Sequence, residues 1–154
     1  MRLVLFDCDG TLVDTIAIIQ ESMARTFTRF GYPVPAIEKT RATVGLTLDV
    51  SISLLLGREG PDEECREMMA YYRSLFSEVR SDPAMQERLF EGIAPMLEQL
   101  FLQDDILIGA VTGKSRRGLD HMLDLHGYAS KFVVSRTADD CPSKPHPAMV
   151  LECC

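Results

Sequence analysis

The amino-acid sequence predicts an α/β fold, a parallel sheet whose first strand is followed by a large helical insertion. Three observations carry that prediction. Short apolar runs at residues 2–6, 106–111 and 132–134 have the length and composition of buried strands. A helical period separates the later two, and this alternation implies parallel strands joined by right-handed crossovers. Between the first run and the second, residues 15–85 show helical periods almost alone.

The elements follow in order. After Thr15, the side chains Ile16, Ile19, Met23, Phe27 and Phe30 fall on one helical stripe, which Gly31 and Pro33 stop. A short segment after Pro35 breaks at Gly45, and a helix is expected from about Thr47 to Leu56, ended by Gly57. Asp62 stands where an N-cap would open a long amphipathic helix striped by Cys65, Met68, Met69, Tyr72, Leu75, Phe76 and Val79. This Met-rich stripe reads as the core of the helical block, which Asp82-Pro83 closes.

Beyond Gly92 the α/β alternation takes over. Pro95 opens a helix carrying Met96, Leu97, Leu100 and Phe101, and the strand at 106–111 follows. Ser115 caps a helix with Leu119, Met122, Leu123 and His126 on one face, stopped by Gly127. The third strand is expected at 132–134, and Pro147 starts a helix still running at Cys154. The expected organisation is a Rossmann-like core of residues 1–14 and 86–154, with a helical cap of residues 15–85.

At 154 residues the chain is one domain, or a domain with an insertion, and 46% apolar content suits a soluble globular protein. A net charge of −7 argues against nucleic acid or an anionic membrane as partner. It leaves room for a small anionic substrate, because 16 Lys and Arg residues can supply local cations. The opening apolar run is too short for a signal peptide, and no apolar segment reaches membrane-spanning length. Cys8, Cys65, Cys141, Cys153 and Cys154 are odd in number and form no C-x-x-C pair, so they read as reduced thiols of a cytoplasmic protein.

The chemistry concentrates in Asp7-Cys8-Asp9-Gly10-Thr11-Leu12-Val13-Asp14, directly after the first strand. Two carboxylates at alternate positions leave the same side of an extended chain, and Gly10 lets the backbone turn behind them. Paired acids at a strand end suit a hard cation, or a division of nucleophile and proton-transfer roles. A calcium loop would need Gly one place later and Glu where Ile18 stands, so the EF-hand pattern is not met. In open parallel sheets ligands bind beyond the carboxyl ends of the strands. Thr112, in Val111-Thr112-Gly113-Lys114, follows the second strand, and Lys144, in Pro142-Ser143-Lys144-Pro145, follows the third. Two acids, a hydroxyl and a cation therefore converge on one edge where a phosphate could sit.

These three segments resemble the first, second and third motifs of the haloacid dehalogenase-like hydrolase superfamily. The version here is most similar to its phosphoglycolate phosphatase and β-phosphoglucomutase branch. The resemblance implies a phosphomonoester hydrolase acting on a small phosphorylated metabolite. Asp7 would be the nucleophile forming an aspartyl-phosphate, and Asp9 the general acid and base. Thr112 would hydrogen-bond a phosphoryl oxygen, and Lys144 would screen the shared negative charge. It implies Mg²⁺, bridged by the Asp7 carboxylate and the Asp9 carbonyl. Thr11, Gly113, Lys114 and Arg41 are the expected substrate contacts, Arg41 preceding a Val44-Gly45-Leu46 segment similar to the cap loop of relatives. An acid at Asp9, where dehalogenases carry tyrosine, implies phosphate-ester chemistry. Thr11, where the mutase branch usually has valine, tilts the reading from mutase to hydrolase.

Other residues have blander readings. Cys8 lies between the acids but points the opposite way along a strand, so it is expected in the core. Cys153 and Cys154 are expected on an apolar helix face, and His126 at a helix C-terminus, interacting with the dipole. His121 and His146 lack metal-ligand spacing. Arg116 and Arg117 could reach an anionic substrate, but solvated surface is the expected fate of either. The resemblance also implies a fourth motif, a Gly-Asp pair with a further acid after one more strand, and nothing after Lys144 matches it. The core portion 86–154 is accordingly expected to be the truncated part of a longer phosphatase. The alternative is a naturally short, non-catalytic protein that keeps a phosphate pocket.

Overall fold

The computed structural model describes every residue of the chain except Ser143. It begins in β1 (Arg2–Phe6) and, after a turn at Gly10, forms the two-residue strand β2 (Val13–Asp14). The helices α1 (Ile16–Arg29), α2 (Ile37–Ala42), α3 (Leu48–Leu55), α4 (Glu63–Ser74) and α5 (Phe76–Ser81) follow. Strand β3 (Arg88–Leu89) leads into α6 (Ile93–Phe101), β4 (Ile106–Val111), α7 (Arg116–Leu125), β5 (Val134–Arg136) and α8 (Ala148–Leu151). β1, β4 and β5 form a parallel sheet in the order β1-β4-β5, the α/β architecture that the apolar runs predict.

β4 is the strand with neighbours on both sides, and its Ile108 and Ala110 are buried. Gly109 is required there. A β-carbon at this position would lie 2.7 Å from a Val134 methyl and 2.8 Å from a Leu5 methyl. β1 is half-buried rather than buried throughout, because among the described residues it pairs only with β4. The third strand lies two residues later than expected. Phe132 packs into the core beside Phe101, Val133 is 58% exposed, and the ladder runs Val134 to Arg136. The polar Ser135 and Arg136 hid the strand from an apolar-run reading.

The main core gathers Cys8, Leu12, Val13, Leu97, Ala110, Leu119 and Met122. Each large side chain buried there contributes roughly 1.5–3 kcal/mol. A second core lies within the helices, where Met23 and Phe27 of α1 meet Ile52 of α3 and Cys65 and Met68 of α4. Ile18, Leu75 and Val79 form a third. α1 thus packs on both α4 and α5, which buries Ile18 where the stripe had placed Ile16. Asp62 accepts a hydrogen bond from the Cys65 N–H at 2.9 Å and caps α4 as expected. The long helix expected through Val79 is instead two, because at Leu75 the N–H bonds back three residues to Tyr72 and the axis breaks.

The sequence reading had no place for β2 and β3, which pair antiparallel, Val13 opposite Leu89 and Asp14 opposite Arg88. Phe90 N–H extends the ladder to the Leu12 carbonyl at 3.0 Å. The ribbon ties the segment entering the helical block to the segment leaving it. At the far end, α8 stops at Leu151, and Glu152 turns to Arg136 at 3.0 Å. Cys153 packs on Val111, Cys141 and Met149, whereas Cys154 is exposed, beyond the helix that was to bury it. His126 does cap the C-terminus of α7, but burial lowers its pKa, so it is neutral at neutral pH and makes no charge–dipole interaction.

Candidate active site

Asp7 is the first residue past β1 and Thr112 the first past β4, and with Phe6 opposite Ala110 the parallel ladder brings both to the carboxyl edge of the sheet, Thr112 one residue further along. The Asp7 carboxylate is fixed at both oxygens. Oδ1 accepts the Cys8 N–H at 2.8 Å, and Oδ2 meets Lys144 Nζ at 2.9 Å. Lys144 also donates to the Val111 carbonyl at 3.0 Å, which anchors it to the end of β4. Ser143 of the same motif lies outside the described residues.

Asp9 points into a different set of partners. Its Oδ1 accepts from the Thr15 hydroxyl at 2.6 Å and from Lys114 Nζ at 2.9 Å. The turn that brings it there needs Gly10, whose φ is +77°. Cys8, between the acids, is fully buried in the core, and burial, with Asp9 adding to it, pushes its thiol up to about 12. It is no nucleophile.

Thr112 is also fully buried, and its hydroxyl accepts the Lys114 N–H at 3.1 Å. Gly113 explains what covers it. A β-carbon there would lie 2.5 Å from the Leu46 carbonyl oxygen and 2.7 Å from that of Gly45. The loop between α2 and α3 therefore rests directly on the loop after β4. A β-carbon at Gly45, whose φ is +97°, would lie 3.6 Å from Asp7 Oδ2. The Val44-Gly45-Leu46 segment reaches the acids through glycine backbone at each close approach. Gly113→Ala must lift that loop or strain it. Overpacking of this kind costs about 1–3 kcal/mol, and the expected result is a Tm lower by roughly 2–10 °C in a thermal melt.

Between the helical block and the sheet edge lies a cavity of about 120 Å³. Asp9, Lys114 and Gly113 line its core side, and Tyr72, Arg73, Phe76 and Arg80 line the helical side. Arg117 of α7 contributes a further cation. Burial opposes the Lys114 ammonium, but Asp9 and Glu87 outweigh it and raise its pKa. Burial, with Asp9 adding to it, pushes the Tyr72 phenol up to about 12, so it stays neutral.

Of the other expected contacts, Thr11 is exposed in the turn, where its N–H bonds to the Cys8 carbonyl at 3.1 Å. Arg41 is exposed on α2 and does not line the cavity. Arg116 is held by Asp140 at 2.5 Å and Ser135 at 2.7 Å, away from it. Sequence reasoning missed Thr15, Arg80 and Glu87. Glu87 accepts from Arg80 at 2.5 Å and lies 3.3 Å from Lys114. No local period marked it, since its partners are 7 and 27 residues away.

The donors that the resemblance implies for a metal, the Asp7 carboxylate and the Asp9 carbonyl, are oxygens, the kind a hard cation takes. Among the described residues no group of three or more His, Cys, Asp or Glu side chains gathers. The donor type fits Mg²⁺, and these two acids are what the described residues bring to it.

Residues 4–154 match the model of the haloacid dehalogenase-like hydrolase family. The chain belongs to this family. Among its curated relatives, phosphoglycolate phosphatase of Vibrio parahaemolyticus is 28% identical over 151 residues, covering 96% of this chain and 66% of the relative. A probable phosphatase, IndB, of Dickeya dadantii is 31% identical over 150 residues, covering 97% and 64%. A solved structure of a haloacid dehalogenase-like hydrolase from Bacteroides fragilis superposes with a TM-score of 0.83 at 27% identity, covering 97% of this chain and 70% of that one. The chain thus spans about two thirds of the length of the family members it matches. A putative β-phosphoglucomutase from Bacteroides vulgatus superposes with a TM-score of 0.76 at 25% identity, covering 99% of this chain and 61% of that one, and with these relatives it supports the phosphoglycolate phosphatase and β-phosphoglucomutase-like branch. Among the described residues, no helix is long and apolar enough to cross a membrane.

Proposed function

We propose that the protein is a Mg²⁺-dependent phosphomonoester hydrolase acting on a small phosphorylated metabolite through an aspartyl-phosphate on Asp7. The observation that carries the reading is the pairing of Asp7 with Lys144 at 2.9 Å, beside an Asp9 that opens on a cation-lined cavity. A nucleophilic carboxylate held against a cation can approach an anionic phosphorus that would otherwise repel it. In the first step an Asp7 oxygen bonds to phosphorus, the ester P–O bond breaks, and Asp9 gives its proton to the leaving oxygen. In the second, water attacks the same phosphorus and Asp9 takes its proton. The aspartyl P–O bond then breaks, releasing orthophosphate and restoring Asp7. Thr112, with the N–H groups of Gly113 and Lys114, would hydrogen-bond phosphoryl oxygens, and Lys144 would screen the charge that Asp7 and the phosphoryl group share.

Asp7 and Asp9 would hold Mg²⁺, which supplies charge neutralisation at the phosphoryl oxygens when bound. Residues 15–85 act as the cap over a core of 1–14 and 86–154, with the β2–β3 ribbon as the crossing point. The cavity is smaller than the ~300 Å³ at which drug-sized pockets begin, which favours a metabolite of few heavy atoms. Thr11 favours hydrolysis over the mutase reaction of the same branch. Five free thiols support a cytoplasmic location.

The test is a panel of phosphomonoesters assayed for orthophosphate release by the complete gene product, with Mg²⁺ and with a chelator. Metal-dependent release from small substrates is the expected result. Release that is unaffected by the chelator, or none from any substrate, would contradict the reading.

A further inference from the structure

Glu87 has no part in the steps above, yet it is among the most unusual residues of the chain. Its side chain is completely buried. Oε1 accepts from Arg80 Nη2 at 2.5 Å and Nε at 3.2 Å and from Lys114 Nζ at 3.3 Å. Oε2 is buried too and has no hydrogen-bond partner among the described residues. Stripping a carboxylate of water is costly, and here one oxygen recovers nothing directly. A residue needed only for the fold would do better as an apolar side chain, since the neighbouring ladder is made by the backbones of Arg88 and Leu89.

What Glu87 does have is position. Lys114 sits between two carboxylates, 2.9 Å from Asp9 Oδ1 and 3.3 Å from Glu87 Oε1. A lysine stem is flexible, and a second fixed acid is what stops its ammonium from wandering. The Thr15 and Lys114 contacts both fall on Oδ1 of Asp9, so together they set the rotation of the carboxylate. Arg80 comes from α5, and its guanidinium lies over the Phe76 ring at 3.9 Å. The same ring takes Arg117 of α7 at 4.3 Å, across the boundary between helical block and core. One carboxylate oxygen therefore joins a helix on one side of the cavity to the lysine that touches Asp9 on the other.

We propose that Glu87 is a positioning residue for Asp9, holding Lys114 against it and making that alignment depend on the docking of α5 through Arg80. The proposal rests on the phosphatase reading, in which Asp9 protonates the leaving group. Misaligning an acid hurts substrates that need it and spares those that do not.

The experiment is rapid-quench measurement of phosphoryl transfer to the enzyme in Glu87→Gln, with an alkyl phosphate and with 4-nitrophenyl phosphate. With the alkyl substrate the rate is expected to fall about tenfold, a fraction of the general-acid contribution, with KM little changed. With the aryl substrate, whose leaving group needs no proton, it should fall by no more than about twofold. Glu87→Asp retains the charge one methylene away and serves where Gln does not fold. It should show the same selectivity to a smaller degree, with thermal melts confirming the folded state. Equal losses on the two substrates, or no loss on either, overturn the proposal while leaving the phosphatase reading in place. A wild-type protein inactive on both overturns that reading, and the proposal with it.

Discussion

Asp7→Asn is expected to abolish turnover while leaving the fold intact, a loss of at least about 10⁴-fold in kcat. The amide fills the same space at the end of β1, so the core beneath it, Cys8 and Leu12 among its members, is undisturbed. What changes is chemistry and charge. An amide oxygen is a poor nucleophile, and Lys144 loses the carboxylate it meets at 2.9 Å. Lys144 keeps its bond to the Val111 carbonyl, which should hold the loop in place. Circular dichroism and a melting curve close to wild type, together with absent orthophosphate release, would check both halves of the expectation. An active Asn variant would contradict it.

Asp9→Asn should have the next largest effect, about 10²–10⁴-fold on turnover, because one carboxylate serves as acid in one step and base in the other. Alkyl phosphates should suffer more than aryl phosphates in the first step, and both should suffer in the second. Here the fold is less indifferent. The Asn side chain leaves Lys114, only 7% exposed, with Glu87 as its remaining carboxylate. Removing one member of a buried charged set is costly, so some loss of stability is expected alongside the loss of rate. Matched rate losses for alkyl and aryl substrates in the first step would contradict the acid role.

The parts of this site that could be read from the sequence are those that a general rule places. Ligands gather beyond the carboxyl ends of parallel strands, so finding the strands was enough to bring Asp7, Asp9, Thr112 and Lys144 to one edge. The ion pair between Asp7 and Lys144 joins residues 137 apart by that rule alone. Arg80, Glu87 and Phe76 could not be found this way. Arg80 and Lys114 meet on Glu87, and Arg117 and His121 meet on Phe76, so these contacts join separate elements, and packing between elements leaves no period in the chain. Glu87 in particular looks like one more charge beside Arg88 until it is seen to be buried. The β2–β3 ribbon escaped for a different reason. Two-residue strands are shorter than any window in which alternation can be counted. The break at Leu75 was hidden because the apolar stripe continues through it, its later members simply packing on Ile18 instead of Met23.

The most direct test of the mechanism is trapping of the covalent intermediate. The protein would be incubated with substrate labelled in the phosphoryl group, quenched in acid, digested and analysed by mass spectrometry. The account predicts phosphate on the peptide containing Asp7, attached to that side chain, appearing at the rate of the first step and absent from Asp7→Asn. Turnover with no acid-stable label on Asp7, or label on another residue, would contradict it.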